Sequence, residues 1–224
     1  MLWAVVTGRD NPEGQRFDLT SGLFHGTAFA LGPTLSLTAG HVYAGANDAK
    51  GNGTISLARF GPEGFFMAPI ADAEIFEHID VALLYSPDVT AAATWPLLFT
   101  PLEFLSDVFS LGYAFGFEPP YPYLRAFKGH VVTRRRLSAL SGSPPGYEIS
   151  FVPPVGLSDA PLLAHSAAGV FVAGIILKHQ TAEYKDRRMD LGLAVDVEEL
   201  LTLDSRIVGG SLAEIVLGRP RLVR

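Results

Sequence analysis

Three side chains able to relay a proton lie in apolar settings along this chain, in the order His41, Asp80, Ser158. Ser158 sits in Gly156-Leu157-Ser158-Asp159-Ala160-Pro161, and the apolar run Leu162-Leu163-Ala164 follows at once. A serine nucleophile needs a tight turn that exposes its hydroxyl and aims backbone N–H groups at one point. Those groups stabilise the oxyanion formed when a carbonyl is attacked. Glycine two residues before the serine lets the backbone approach a substrate with no side chain in the way. Taken alone, the stretch also fits a plain turn between strands. His41 follows Leu35-Ser36-Leu37-Thr38-Ala39-Gly40, and histidine is the side chain suited to take a proton near neutral pH. Asp80 lies between Ile79 and Val81-Ala82-Leu83-Leu84, where an unpaired carboxylate is costly. An acid beside the imidazole would orient the ring and stabilise its charged form. Singly, each has a plainer reading: a core or surface histidine, and an aspartate capping a strand edge.

The elements that must position these residues are short. Leu2 to Thr7, Leu23 to Leu31 and Leu35 to Thr38 read as strands, the last feeding a helical turn at Ala39 to Ala44 that carries His41. Thr54 to Phe60 alternates as a strand, Phe65 to Phe76 continues in β style, and Ile79 to Tyr85 is a buried strand holding Asp80. Ser86 to Pro101 holds prolines and an alanine patch, which places a join there between residues 1–95 and 96–224. Beyond it, Val108 to Ala114, Leu124 to Thr133 and Tyr147 to Val152 read as strands, the last leading into the serine turn. Leu162 to His165 and Val170 to Leu177 form a hairpin, and Leu191 to Val195 is the final strand. Val197 to Leu203 and Ser211 to Leu217 have helical spacing. Many short strands with turn signals between them point to an all-β sandwich or barrel.

Composition removes several function classes. The 224 residues are 48% hydrophobic and 18% charged, the balance of a folded globular protein. A net charge of −6 argues against a nucleic-acid surface. With no cysteine, disulfides, thiolate catalysis and cysteine metal sites are excluded, and a reducing compartment is favoured. His25, His78, His130, His165 and His179 lack the spacing of a helical zinc site, so neither metal nor cofactor is expected. The N-terminus lacks a signal-peptide pattern, and the apolar run Ala167 to Leu177 is too short to span a bilayer. A cytoplasmic protein with no membrane partner is the expectation.

Four segments together resemble the trypsin/chymotrypsin-like serine peptidase family, its bacterial, HtrA-like branch above all. They are Gly26-Thr27-Ala28-Phe29, Leu37-Thr38-Ala39-Gly40-His41, Asp80-Val81-Ala82-Leu83-Leu84 and Gly156 to Pro161. Their counterparts are the family's G-T-x-F strand, L-T-A-x-H turn, D-x-A-L-L strand and G-x-S-G-x-P turn. The resemblance runs from about Gly26 to Leu200 and implies two six-stranded antiparallel β-barrels with a short C-terminal helix. Residues 1–95 would carry the histidine and aspartate, and 96–224 the nucleophile. It implies a serine endopeptidase acting on protein or peptide through His41, Asp80 and Ser158, with the N–H groups of Gly156 and Ser158 as the oxyanion hole. Val152, six residues before the serine, would form the pocket floor and Gly174, Ile175 and Ile176 a wall. That apolar floor implies cleavage after medium apolar residues. Leu157 stands where zymogen-type relatives carry an aspartate, which implies no activation by a newly cut N-terminus.

One residue departs from the pattern. Asp159 occupies the position of the family's glycine after the serine. Aspartate tolerates a left-handed backbone, but its charge would stand beside the attacking oxygen. The rival reading is therefore a weakened peptidase kept as a peptide-binding or regulatory module. A third is a β-rich interaction domain whose motif matches are chance. Arg134-Arg135-Arg136 reads as a solvated strand end, the aromatic loop Phe115 to Tyr123 as a candidate contact surface, and His78 as an edge histidine on the face of Asp80.

Overall fold

The computed structural model describes residues 1–8, 23–51, 53–61, 64–89, 94–114, 123–135, 145–184 and 187–216. Its first unit is one antiparallel sheet made of β1 (Leu2–Gly8), β2 (Leu23–Ala30), β3 (Leu35–Ala39), β4 (Thr54–Gly61), β5 (Gly64–Pro69), β6 (Asp72–Phe76) and β7 (Val81–Tyr85). The spatial order is β5-β4-β1-β2-β3-β7-β6. Helix α1 (Gly40–Ala49) leaves β3 directly. The second unit, β8 (Asp107–Ala114), β9 (Tyr123–Arg135), β10 (Gly146–Ile149), β11 (Pro161–Ser166), β12 (Gly169–Tyr184) and β13 (Arg187–Asp196), closes into a barrel in the order β10-β13-β12-β11-β8-β9. Helix α2 (Val197–Leu201), the short pair β14 (Asp204–Ser205) and β15 (Gly210–Ser211), and helix α3 (Leu212–Val216) complete the described chain.

The all-β architecture is the expected one, and the barrel has its expected six strands. The first sheet differs: it has seven strands, and among the described residues no pairing of β5 with β6 closes it. The run Phe65 to Phe76, which reads as continuous β, is split. β5 ends at Pro69, β6 starts at Asp72, and the two lie at opposite edges of the sheet. Proline has no N–H to give a ladder and suits a strand end.

Strands β1 to β7 all precede residue 95, and β8 to β13 all follow residue 96. The two units nevertheless share a core. Phe29, Leu37 and Leu83 of the first sheet pack in one cluster with Leu163, Val172 and Ile175 of the barrel and with Leu200 and Leu212 of the helices. The connecting segment is laced to the barrel: Leu98 N–H donates to the Val172 carbonyl and Val172 N–H to the Pro96 carbonyl, each at 2.8 Å. Asp196 caps α2 by accepting the N–H of Glu199 at 3.1 Å. It also receives Arg134, whose guanidinium reaches Glu198 at 2.6 Å, so this strand-end arginine is paired. Arg136, the loop residues 115–122 and the tail beyond 216 lie outside the described residues. No helix among the described residues is long and apolar enough to cross a membrane.

Thr27 joins the two units at the point that matters for the site. Its buried hydroxyl oxygen accepts the N–H of Tyr113 at 2.8 Å. The same hydroxyl faces the carbonyls of Tyr113 and Gly156, each at 3.2 Å. Thr27→Val keeps the shape but removes every one of these contacts. It should lower unfolding free energy by about 1–3 kcal/mol, the cost of stranding buried polar groups. Denaturant unfolding measures this, and an unchanged midpoint would show that the hydroxyl is dispensable.

Candidate active site

His41 owes its place to a change of backbone. β3 pairs with β7 up to Ala39 and Val81, Ala39 stays extended as the helix N-cap with no side-chain cap, and α1 starts at Gly40. The first N–H groups of a helix have no partner within it. Asp80 supplies one from outside: its Oδ1 accepts the backbone N–H of His41 at 2.8 Å. Its Oδ2 accepts the ring Nδ1–H at 2.8 Å. Its carbonyl accepts the N–H of Gly40 at 2.9 Å. A ring that donates from Nδ1 presents, when neutral, Nε2 as the proton acceptor.

Asp80 is not part of a strand. It closes a turn before β7, with φ of 57°. His78 therefore lies in that turn and shares no strand face with Asp80. Left-handed backbone is uncommon for a residue other than glycine, and aspartate tolerates it better than most. Close approach is part of the design, since a Cβ on Gly40 would stand 3.0 Å from Asp80 Oδ1. Partial burial pushes the Asp80 carboxyl up. The hydrogen bonds from the His41 ring and N–H, with the charges of His41 and Lys178, outweigh that and hold it below the usual carboxylate range.

Ser158 is carried by a compact turn. Leu157 N–H donates to Pro154 at 2.9 Å, and Ala160 N–H returns to Leu157 at 3.1 Å. Leu157 is fully buried and anchors the turn from beneath. Gly156 has φ of 90°, and a Cβ there would meet Phe24 at 2.6 Å, so only glycine fits. Ser158 is left half-buried on the wall of the cleft that His41 also lines. Among the described residues, no hydrogen bond uses the N–H of Gly156 or Ser158, and none joins Ser158 to His41.

Asp159 is the unexpected feature. It is fully buried, with φ of 86°. Its N–H donates to the Ile176 carbonyl at 2.6 Å. Its carboxyl points inward against Gly26, where any Cβ would lie 2.3 Å from Oδ2. Neither carboxyl oxygen has a hydrogen-bond partner among the described residues. Oδ1 stands 3.9 Å from His41 Nε2, beyond hydrogen-bond reach. Burial, and next the charge of Asp80, push this carboxyl well above the usual range; the nearby N–H groups of Ala39 and Thr27 offset only part of that. The neutral form is the one this environment favours.

The cleft has a volume of about 280 Å³. His41, Gly156 and Ser158 line it, together with His25, Lys178 and His179. Of the residues expected to shape a substrate pocket, Val152 is 44% exposed and outside this lining. Ile175 and Ile176 are fully buried in core clusters on either side of the sheet. A Cβ on Gly174 would meet the Val195 carbonyl at 2.1 Å, so Gly174 packs closely on β13. The wall that β12 presents to the cleft is Lys178 and His179. The pairing of β12 with β13 shifts between Ile176 and Lys178, and such a bulge re-aims the strand beyond it. Strand alternation in the sequence carries no mark of that shift.

No protein-family profile and no curated protein sequence matches the chain. Solved structures do. The active form of the M. tuberculosis protease Rv3671c is 23% identical over 100% of this chain and 83% of its own, with a TM-score of 0.60. The HtrA-type protease AlgW, solved with a decapeptide, is 17% identical over 97% of this chain and 65% of its own, with a TM-score of 0.63. The MamO protease domain from Magnetospirillum magneticum is 15% identical over 88% of this chain and 92% of its own, with a TM-score of 0.57. These likenesses are of fold: the chain has the chymotrypsin-like β fold of these proteases.

Proposed function

We propose that this protein is a serine endopeptidase, with Ser158 as nucleophile, His41 as base and Asp80 as the residue that orients it. The observation carrying this reading is the paired geometry of His41 and Asp80, with Ser158 on the wall of the same cleft. His41 Nε2 takes the proton of Ser158 Oγ as Oγ attacks the peptide carbonyl carbon. The N–H groups of Gly156 and Ser158 receive the resulting oxyanion. Asp80 stabilises the imidazolium, which then protonates the leaving amine as the C–N bond breaks. Water, activated by His41, hydrolyses the acyl-enzyme and returns the proton to Ser158. Likeness to proteases in fold, and the decapeptide bound by AlgW, support a protein or peptide substrate.

A fluorophosphonate probe tests this directly. The wild type should be labelled at Ser158 and Ser158→Ala should not; a wild type that stays unlabelled sinks the peptidase reading.

A second reading is favoured by Asp159. Its carboxyl, and not a Ser158 hydrogen bond, faces His41 Nε2. A peptidase fold so altered would serve as a peptide-binding module. Peptide binding without labelling would select it.

A further inference from the structure

One cation, Lys178, faces the cleft. In a protein of net charge −6, Lys178 lines the cleft with His179, His25 and His41, and among the described residues the lining holds no carboxylate, although Asp80 is hydrogen-bonded to His41. Lys178 and His179 are exposed. Among the described residues the Lys178 ammonium forms no ion pair within 4.0 Å, although it is near enough to Asp80 to help keep that carboxyl ionised. Asp190, nearby, is held by hydrogen bonds from Thr181 and Arg188, and His179 adds only a minor contribution to keeping it ionised. His25 is different: its Nε2 lies 2.9 Å from Thr7 Oγ1, and burial pulls its pKa down. It adds polarity more than charge. The N–H groups of Gly156 and Ser158 point no hydrogen bond elsewhere among the described residues.

We propose that this cleft selects peptides with an acidic side chain next to the bond it acts on, and that Lys178, with His179 beside it, is the specificity-determining residue. The inference rests on reading the cleft as the substrate site, and it replaces the apolar preference expected from Val152, which lies outside the lining. An apolar side chain here would give the Lys178 ammonium no partner beyond solvent and the more distant Asp80, whereas a carboxylate would pair with it. Ammonium and carboxylate paired near a protein surface attract more strongly than in bulk water. Complementary charge acts mainly as specificity. Carboxylates reach such a site either as Glu or Asp side chains or as a free chain end, and amidated peptides separate the two.

The test uses immobilised peptides and the Ser158→Ala protein, so that its outcome does not depend on turnover. Peptides carry Glu, Gln, Leu or Lys at one scanned position, each with a free or an amidated C-terminus. Retention of the Glu peptides should exceed that of the Gln and Leu peptides about tenfold at low salt and fall as salt screens the charge. Amidation should leave that ratio unchanged. Lys178→Gln should bring Glu and Gln together, and Lys178→Glu should favour the Lys peptides. Equal retention of Glu and Gln peptides, including retention of neither, overturns the proposal. So does a preference that survives Lys178→Gln or vanishes on amidation. Fluorophosphonate labelling of the wild type reports separately on the peptidase reading, so either can fail alone.

Discussion

Asp80→Asn should slow fluorophosphonate labelling of Ser158 by about 10⁴-fold while leaving the protein folded. The size is that of a triad whose imidazole holds the wrong tautomer. The direction follows from which oxygen does what. Oδ1 accepts the backbone N–H of His41, and Oδ2 accepts the ring Nδ1–H, both at 2.8 Å. An asparagine must place its NH₂ at one of these positions. The backbone N–H is a donor only, so the amide oxygen stays with it and the NH₂ falls opposite Nδ1. Nδ1 then becomes the acceptor and the ring proton moves to Nε2, where the serine proton has to arrive. The helix cap survives, so thermal melting should change little. Labelling within tenfold of wild type would mean that Asp80 is a cap and not part of the proton relay.

Asp159→Gly should raise the labelling rate tenfold or more and raise unfolding free energy at neutral pH by about 1–3 kcal/mol, the usual cost of a buried polar group left without a partner. The rate gain follows from removing the group that stands 3.9 Å from His41 Nε2. Glycine also accepts the φ of 86° at no steric cost. A pH signature separates the electrostatic cause from a packing one. The fold holds Asp159 above its ordinary value, so the neutral carboxyl is the form that folding favours. That stabilisation is complete below the unfolded pKa of about 3.9 and is lost as pH rises through the folded value. Asp159→Asn, which cannot ionise, should lose this part of the slope. Asp80 works the other way: held low, it stabilises above the ordinary carboxylate range and stops doing so as pH falls through its folded value. Denaturant unfolding across pH measures both. A wild type and an Asp159→Asn variant with parallel profiles, together with an unchanged labelling rate in Asp159→Gly, would show that this carboxyl is inert.

Short-range patterns in the chain were enough for the class of fold. Runs such as Val81-Ala82-Leu83-Leu84, bounded by turn residues, read as strands because a buried strand needs little more than β-compatible apolar side chains of the right length. The chain order His41, Asp80, Ser158 and the turn around Gly156 were legible for the same reason: helix start, turn and glycine are local devices. The helical spacing at Val197 to Leu203 matches α2, whose cap Asp196 is adjacent in sequence. The split of Phe65 to Phe76 into strands on opposite edges was not legible, since each half alone looks equally extended.

What tertiary structure alone decided lies where distant segments meet. Nothing next to Asp159 in sequence foretells that its carboxyl lodges against Gly26 of β2 and turns toward His41, for the room depends on a missing side chain far earlier in the chain. Nor does the alternation of β12 reveal that Lys178 and His179 face the cleft while Ile175 and Ile176 are buried, because a bulge set by pairing with β13 turns the strand between them. Sequence pattern encodes which residues prefer burial and which turns the backbone can make. Which partner each buried group meets depends on strand pairing and sheet packing, and those are properties of the whole fold.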